Sequence, residues 1–231
     1  MDHLTKLLTG VEAFHRAHAE DYASHLKQVA AAGEPPLALF VCCIDARTLP
    51  NMMTSTLPGE LFTIRNVGNT VPRYDAGASA SADRPEFAGI EYALFAKNIR
   101  HVIVCGHSDC GAVNAAHTDA YPQNAASLRS FARHIQPSIE DFRNGKAPDK
   151  SLPEATQIAQ IHALRQTDNI KTIPGVADKL HAGELHLHTW FFELETAEVQ
   201  AFNPETGKYE RITTEAELHH FEARTMNGAI R

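Results

Sequence analysis

No stretch of this chain approaches the ~20 consecutive apolar residues that span a bilayer, and Met1–Gly10 (MDHLTKLLTG) lacks the apolar core of a secretory signal. A cytoplasmic location with no membrane partner is the expectation. Cysteine is scarce, with four in 231 residues, at 42, 43, 105 and 110. So few in so long a chain argue against the disulfide framework of a small secreted domain and leave metal ligation or buried thiols as their use. An excess of positive charge is missing too. The formal net charge of −7 argues against nucleic acid or an anionic membrane as the main partner, because both would be repelled. Internal repeats and low-complexity segments are absent. With 43% hydrophobic and 21% charged residues, the chain has ordinary globular composition and is long enough to bury a core without staples.

What is present alternates between two periodicities. Residues 3–31 read as helical, with Leu4, Leu7, Leu8, Val11, Phe14, His15, Tyr22 and Leu26 at three- and four-residue spacing, and Gly33-Glu34-Pro35-Pro36 ends the segment. Short apolar runs at 37–43 (LALFVCC), 60–66 (ELFTIRN) and 101–106 (HVIVCG) read as strands buried on both faces. Helices are expected at 84–98, 125–143, 151–167 and 174–182, the last opening at Pro174; a late strand is expected at 184–194, with 199–202 able to pair with it. The alternation predicts an α/β fold, a mainly parallel central sheet flanked by helices. One domain over 1–231 is the reading, with residues 1–34 as an N-terminal helical arm and 35–231 as the core. From the pattern alone, the arm either packs on its own domain or reaches a second subunit.

Two clusters carry chemistry, Cys43-Ile44-Asp45-Ala46-Arg47 and His107-Ser108-Asp109-Cys110-Gly111, and each begins where a buried strand ends. In an open parallel sheet ligands bind beyond the carboxyl ends of the strands, so residues 64 positions apart can converge. Two thiolates and an imidazole suit zinc, and three protein ligands leave a fourth position open, the arrangement of a catalytic site. A structural site would need a fourth ligand, and Cys42, adjacent to Cys43, faces the other side of the strand. Cys42 and Cys105 are read as buried thiols without a chemical role. Cys110 opens a helix that Ser108 or Asp109 can cap, and the free N–H groups there favour a thiolate. Asp45 lies within reach of the open position, and Arg47 can pair with it through a bidentate fork.

Cys-x-Asp-x-Arg followed by His-x-x-Cys-Gly, with PGELFTIRNVGN (58–69) between them, resembles the β-class carbonic anhydrases. The likeness runs from about Leu39 to Asn203 and takes in IEYALF (90–95), HVIVCGHSDCGA (101–112) and HLHTWFFEL (186–194). It implies Zn2+ on Cys43, His107 and Cys110, and a catalytic dyad of Asp45 and Arg47. The implied reaction is reversible hydration of carbon dioxide to bicarbonate and a proton through zinc-bound hydroxide. Backbone N–H groups near Gly111 would contact the substrate-derived oxygen. Two thiolates offset the charge of the ion, which favours activity at alkaline pH. The resemblance also turns the arm towards exchange with a second subunit, in a homodimer or homotetramer.

Departures from the family pattern are specific. A bicarbonate pocket found in some members uses a Trp, an Arg and a Tyr where this chain has Phe40, Arg65 and Phe192, so regulation by bicarbonate is expected to be absent. Ile44, Ala46, Leu57 and Thr189 replace more polar or smaller residues. The apolar substitutions keep carbonyl sulfide or carbon disulfide hydrolysis as an alternative on the same zinc site. A non-catalytic zinc-binding module is the alternative from another class, and intact Asp45 and Arg47 speak against it.

Overall fold

The computed structural model describes residues 2–77 and 83–213. Residues 214–231, which the single-domain reading included, lie outside the described residues. The expected apolar runs form β1 (Ala38–Cys43), β2 (Leu61–Asn66), β3 (His101–His107) and β4 (His186–Glu193), followed by β5 (Glu198–Asn203) and β6 (Lys208–Arg211). They make one sheet in the order β2-β1-β3-β4-β5-β6. The first four strands are parallel, and β5 and β6 pair antiparallel at one edge. The fold is therefore α/β with a mixed, mainly parallel sheet.

Burial on both faces explains why the parallel strands are apolar throughout, and all six residues of β1 are buried. Leu39 and Val41 pair in register with Val102 and Val104 and join Ile90, Leu94, Ile170 and Ile173 in one core cluster. The alternate residues Phe40, Cys42, Ile103 and Cys105 form a second cluster on the opposite face. Chain order decides where a ligand belongs. From β1 the chain goes to β2 on one side and then crosses back to β3 on the other, so the switch point of this sheet lies between the carboxyl ends of β1 and β3.

The helices refine several expectations. The arm is two helices, α1 (His3–Ala17) and α2 (Ala19–Ala32), broken at His18, where φ −133° and ψ −19° leave the helical range. The break brings the rings of Phe14 and Tyr22 to 5.7 Å, a distance that two residues eight apart on a straight helix cannot reach. α2 is tied to its own core, because His25 Nε2 donates to the Pro58 carbonyl at 2.8 Å. α3 (Pro50–Thr54) was not foreseen. The helix expected at 84–98 is α4 (Pro85–Glu91) continued by a π turn over Tyr92–Ala96. The expected 125–143 helix is divided into α6 (Ala126–Phe131), a 3₁₀ turn and α7 (Gln136–Arg143), after α5 (Gly111–Thr118). Pro137 accounts for the division, since it has no N–H to continue the ladder and its ring clashes with the carbonyl of Arg133. α8 (Glu154–Ile170) starts three residues later than expected, after Pro153, and α9 (Val176–His181) starts after Gly175 rather than at Pro174.

α8 approaches the sheet closely at Gly106, one residue before the end of β3. A Cβ there would lie 3.1 Å from Ala163 Cβ, 3.2 Å from Phe191 Cδ2 and 3.3 Å from the Ala159 carbonyl. Overpacking of this kind costs about 1–3 kcal/mol. Gly106→Val is expected to lower the unfolding free energy from urea titration by an amount in that range, and an unchanged value would contradict the close approach of α8.

Candidate metal centre

β1 delivers Cys43 to the switch point and β3 delivers His107, while Cys110 follows at the N-cap of α5. All three are buried, and their ligand atoms lie within 4.8 Å of one another, which makes them the one such group of three found among the described residues. The imidazole is oriented by its own backbone: Nδ1 lies 2.8 Å from the Ser108 carbonyl, which can only accept, so Nδ1 carries the hydrogen. Nε2 is left as an acceptor, fully buried and without a hydrogen-bond partner. A buried nitrogen lone pair facing two sulfurs fits a thiophilic divalent ion such as zinc.

The sulfurs are electrostatically poised for the same ion. A hydrogen bond from the Cys110 thiol, the largest influence, holds the Cys43 thiol well below its ordinary range against the opposing effect of burial. The N–H groups of Asp45 and Gly68 point at the same sulfur and act in the same direction. Cys110 is held correspondingly high by Cys43 and by burial, so the pair gives up one proton readily and shares the other. Cys42 and Cys105 behave differently. Burial pushes Cys42 up to about 12 and Cys105 higher still, so both stay thiols on the opposite face of the sheet.

The turn after β1 carries Asp45 and Arg47 and is strapped from several sides. Arg65 on β2 donates from Nε to the Cys43 carbonyl at 3.1 Å and from Nη2 to the Asp45 carbonyl at 2.6 Å. Thr48 Oγ1 lies 2.8 Å from the Asp45 carbonyl and 3.1 Å from that of Cys43. The ion pair itself is bidentate. Arg47 Nε and Nη2 donate to the two carboxylate oxygens of Asp45 at 3.0 and 2.8 Å, and the Arg47 N–H adds a third bond at 2.9 Å. The Arg47 hydrogen bonds hold the Asp45 carboxyl well below the usual carboxylate range.

Sequence reasoning missed the brace that Asp109 provides: it stands at φ 50° and takes a further Arg47 hydrogen bond through Oδ2 at 2.9 Å. It also assigned a helix cap that does not form. Neither Ser108 nor Asp109 caps α5: Ser108 Oγ donates to Glu193 at the end of β4 and accepts the Leu194 N–H at 2.9 Å. The N–H groups of Ala112 and Val113 point instead to the Cys110 sulfur, which lowers its pKa against the larger opposing effects. Gly111 opens α5, and nothing lies within 4 Å of where its Cβ would be, so the space beside its backbone is free.

A family model described as carbonic anhydrase matches residues 38–199. The carbonic anhydrase of Pseudomonas aeruginosa is 32% identical over 229 residues, covering 94% of this chain and 95% of its own. The solved structure of the β-carbonic anhydrase CcaA superposes with a TM-score of 0.80 at 29% identity, over 92% of this chain and 93% of that one. Two tetrameric β-carbonic anhydrases of Sordaria macrospora share the fold, with a TM-score of 0.70 at 20% identity over 87% and 96% of the two chains.

The geometry divides the cysteines into two pairs, Cys43 with Cys110 and Cys42 with Cys105. Purified protein is expected to hold about one equivalent of a thiophilic divalent metal, judged by elemental mass spectrometry against a site with a single open position. Cys43→Ser and Cys110→Ser should lose it, and Cys42→Ser and Cys105→Ser should keep it. Retention in the first pair, or loss in the second, contradicts the ligand set.

Proposed function

The chain belongs to the carbonic anhydrase family, β class, and from that membership we propose that it catalyses the reversible hydration of carbon dioxide to bicarbonate and a proton at a zinc ion held by Cys43, His107 and Cys110. The observation that carries the reading is the buried, unpartnered Nε2 of His107 beside two sulfurs, with an ion-paired carboxylate two residues from one of them. When bound there, Zn2+ supplies a Lewis acid that lowers the pKa of water.

The chain's own residues do the rest. Asp45 stays ionised across physiological pH because Arg47 occupies both of its oxygens, and it accepts a hydrogen bond from the attacking water and aims its lone pair at the substrate carbon. Arg47 holds Asp45 away from the position a metal would occupy, and Asp109 holds Arg47. The space beside the Gly111 backbone is free, and in this reading the N–H groups there contact the oxygen on which negative charge develops. Hydrolysis of carbonyl sulfide or carbon disulfide at the same residues is a second reading, favoured by the exposed side chains of Ile44 (61%) and Leu57 (55%) close to the motif.

Control by bicarbonate of the kind that needs polar side chains at 40 and 192 is absent in this reading. Phe40 and Phe192 lie in one apolar cluster with Cys42 and Ile103, and Arg65 is committed to two carbonyls. The arm supports assembly. Leu4, Leu7, Leu8 and Val11 are exposed on one face of α1, and no residue of α1 is buried within the subunit, so a second copy of this chain is the proposed cover, in a dimer or tetramer. Four free cysteines and no membrane-crossing helix among the described residues suit a reducing, cytoplasmic setting, and 1–231 is treated as one domain.

Two outcomes follow. Asp45→Asn is expected to lower kcat/KM for carbon dioxide by about 10²-fold or more in stopped-flow assays, with metal content unchanged. Full activity in that variant, or turnover of carbonyl sulfide without turnover of carbon dioxide, would overturn the reading. Deletion of residues 1–33 should reduce the sedimenting mass to that of a monomer, and an unchanged assembly would remove the arm from the interface.

A further inference from the structure

Helix α8 carries a row of polar side chains that the proposed reaction does not use. His162, Gln166 and Asn169 follow one another at four- and three-residue spacing on one helix face, and His162 and Gln166 are fully buried. An imidazole in such a place is costly unless its polar atoms are paired, and both ring nitrogens of His162 are. Nε2 lies 3.0 Å from the Gly68 carbonyl, an acceptor only, so Nε2 carries the hydrogen. Nδ1 is then the acceptor, and it meets Ser138 Oγ at 3.0 Å and Gln166 Nε2 at 3.1 Å. Burial holds the ring neutral, with its pKa down at about 4, which preserves that tautomer. Gln166 and Asn169 grip the next part of the same loop, taking the Val71 N–H at 3.0 Å and donating to the Val71 carbonyl at 2.8 Å.

The loop they hold is the one that touches the metal centre. Gly68 sits at φ 70° and ψ 26°, a left-handed conformation that a side chain would strain. One flanking peptide presents its carbonyl to His162. The other has its carbonyl bonded by Thr70 Oγ1 at 3.1 Å and its N–H directed at the sulfur of Cys43. Asn66 closes the loop with two bonds to the Thr70 backbone, each 2.7 Å. A hydrogen bond to a ligating sulfur withdraws charge from it and fixes its direction, and such outer partners typically change metal affinity by about 10- to 100-fold when removed.

We infer that His162 is a positioning residue for the metal centre: by holding the Gly68 carbonyl it fixes the left-handed turn whose N–H donates to Cys43 Sγ, and so sets the strength and direction of that ligand. The inference rests on the reading of Cys43 as a metal ligand. It assigns His162 no contact with substrate and no proton transfer.

The test replaces the metal of the full-length protein with cobalt(II), whose thiolate charge-transfer band reports on the sulfurs, and measures affinity by chelator competition. His162→Phe fills the space without a donor. His162→Asn keeps a polar group near Nδ1 but falls short of Gly68, and His162→Gln reaches the position of Nε2. The Phe and Asn variants are expected to bind cobalt about tenfold more weakly, with the band moved to longer wavelength, and Gln to restore both. If the Phe variant does not fold, the Asn–Gln comparison carries the test. Folded Asn and Gln variants with wild-type affinity and band position overturn the inference alone. No thiolate band in the wild-type protein overturns the metal reading, and the inference with it.

Discussion

Two sulfurs and one imidazole nitrogen, buried within 4.8 Å of one another, are the constraint on which the rest of the molecule depends. Without a cation such a group is unstable in two ways: the sulfurs compete for one proton, and the nitrogen lone pair has no partner. A divalent ion resolves both at once, because it neutralises two thiolates and completes the imidazole. The architecture serves that convergence. Adjacent parallel strands β1 and β3 leave their carboxyl ends side by side at the switch point, and polar contacts orient each of the three candidate ligands. The Ser108 carbonyl sets the histidine tautomer, α5 turns its first N–H groups to Cys110, and the Gly68 and Asp45 N–H groups turn to Cys43.

The same sheet keeps apart chemistry that must not mix. Neighbouring cysteines 42 and 43 face opposite sides of β1, so burial leaves one inert while hydrogen bonding activates the other. Asp45 is treated in the opposite way to an isolated buried carboxylate. It is ionised and held by Arg47, which in turn is braced by Asp109, so the carboxylate is fixed in one orientation. The bracing residues come from β2, from the loop after β3 and from the turn itself, and all end on a segment only a few residues long.

Much of this was legible because burial on both faces writes itself into composition. LALFVCC and HVIVCG could not be solvent-facing strands, and reactive residues directly after them had to lie at the carboxyl edge. What was illegible depends on contacts between distant positions or on local geometry with no compositional mark. Arg65 and Thr48 look like ordinary strand and loop residues until their carbonyl partners are seen. His162 reaches Gly68 across 94 positions. β6 (Lys208–Arg211) is a short, mostly exposed edge strand with three charged residues, so it carries no apolar signal. The division of the arm at His18 follows no Pro or Gly, and the expected cap on α5 failed because Ser108 found a better partner in Glu193.

X-ray absorption at the zinc edge of the purified protein tests the central claim most directly, because it counts the atoms around the metal. Two sulfurs at about 2.3 Å with one or two lighter atoms at about 2.0–2.1 Å is the predicted shell. A shell without sulfur, or with four sulfurs, would contradict a centre built from Cys43, His107 and Cys110.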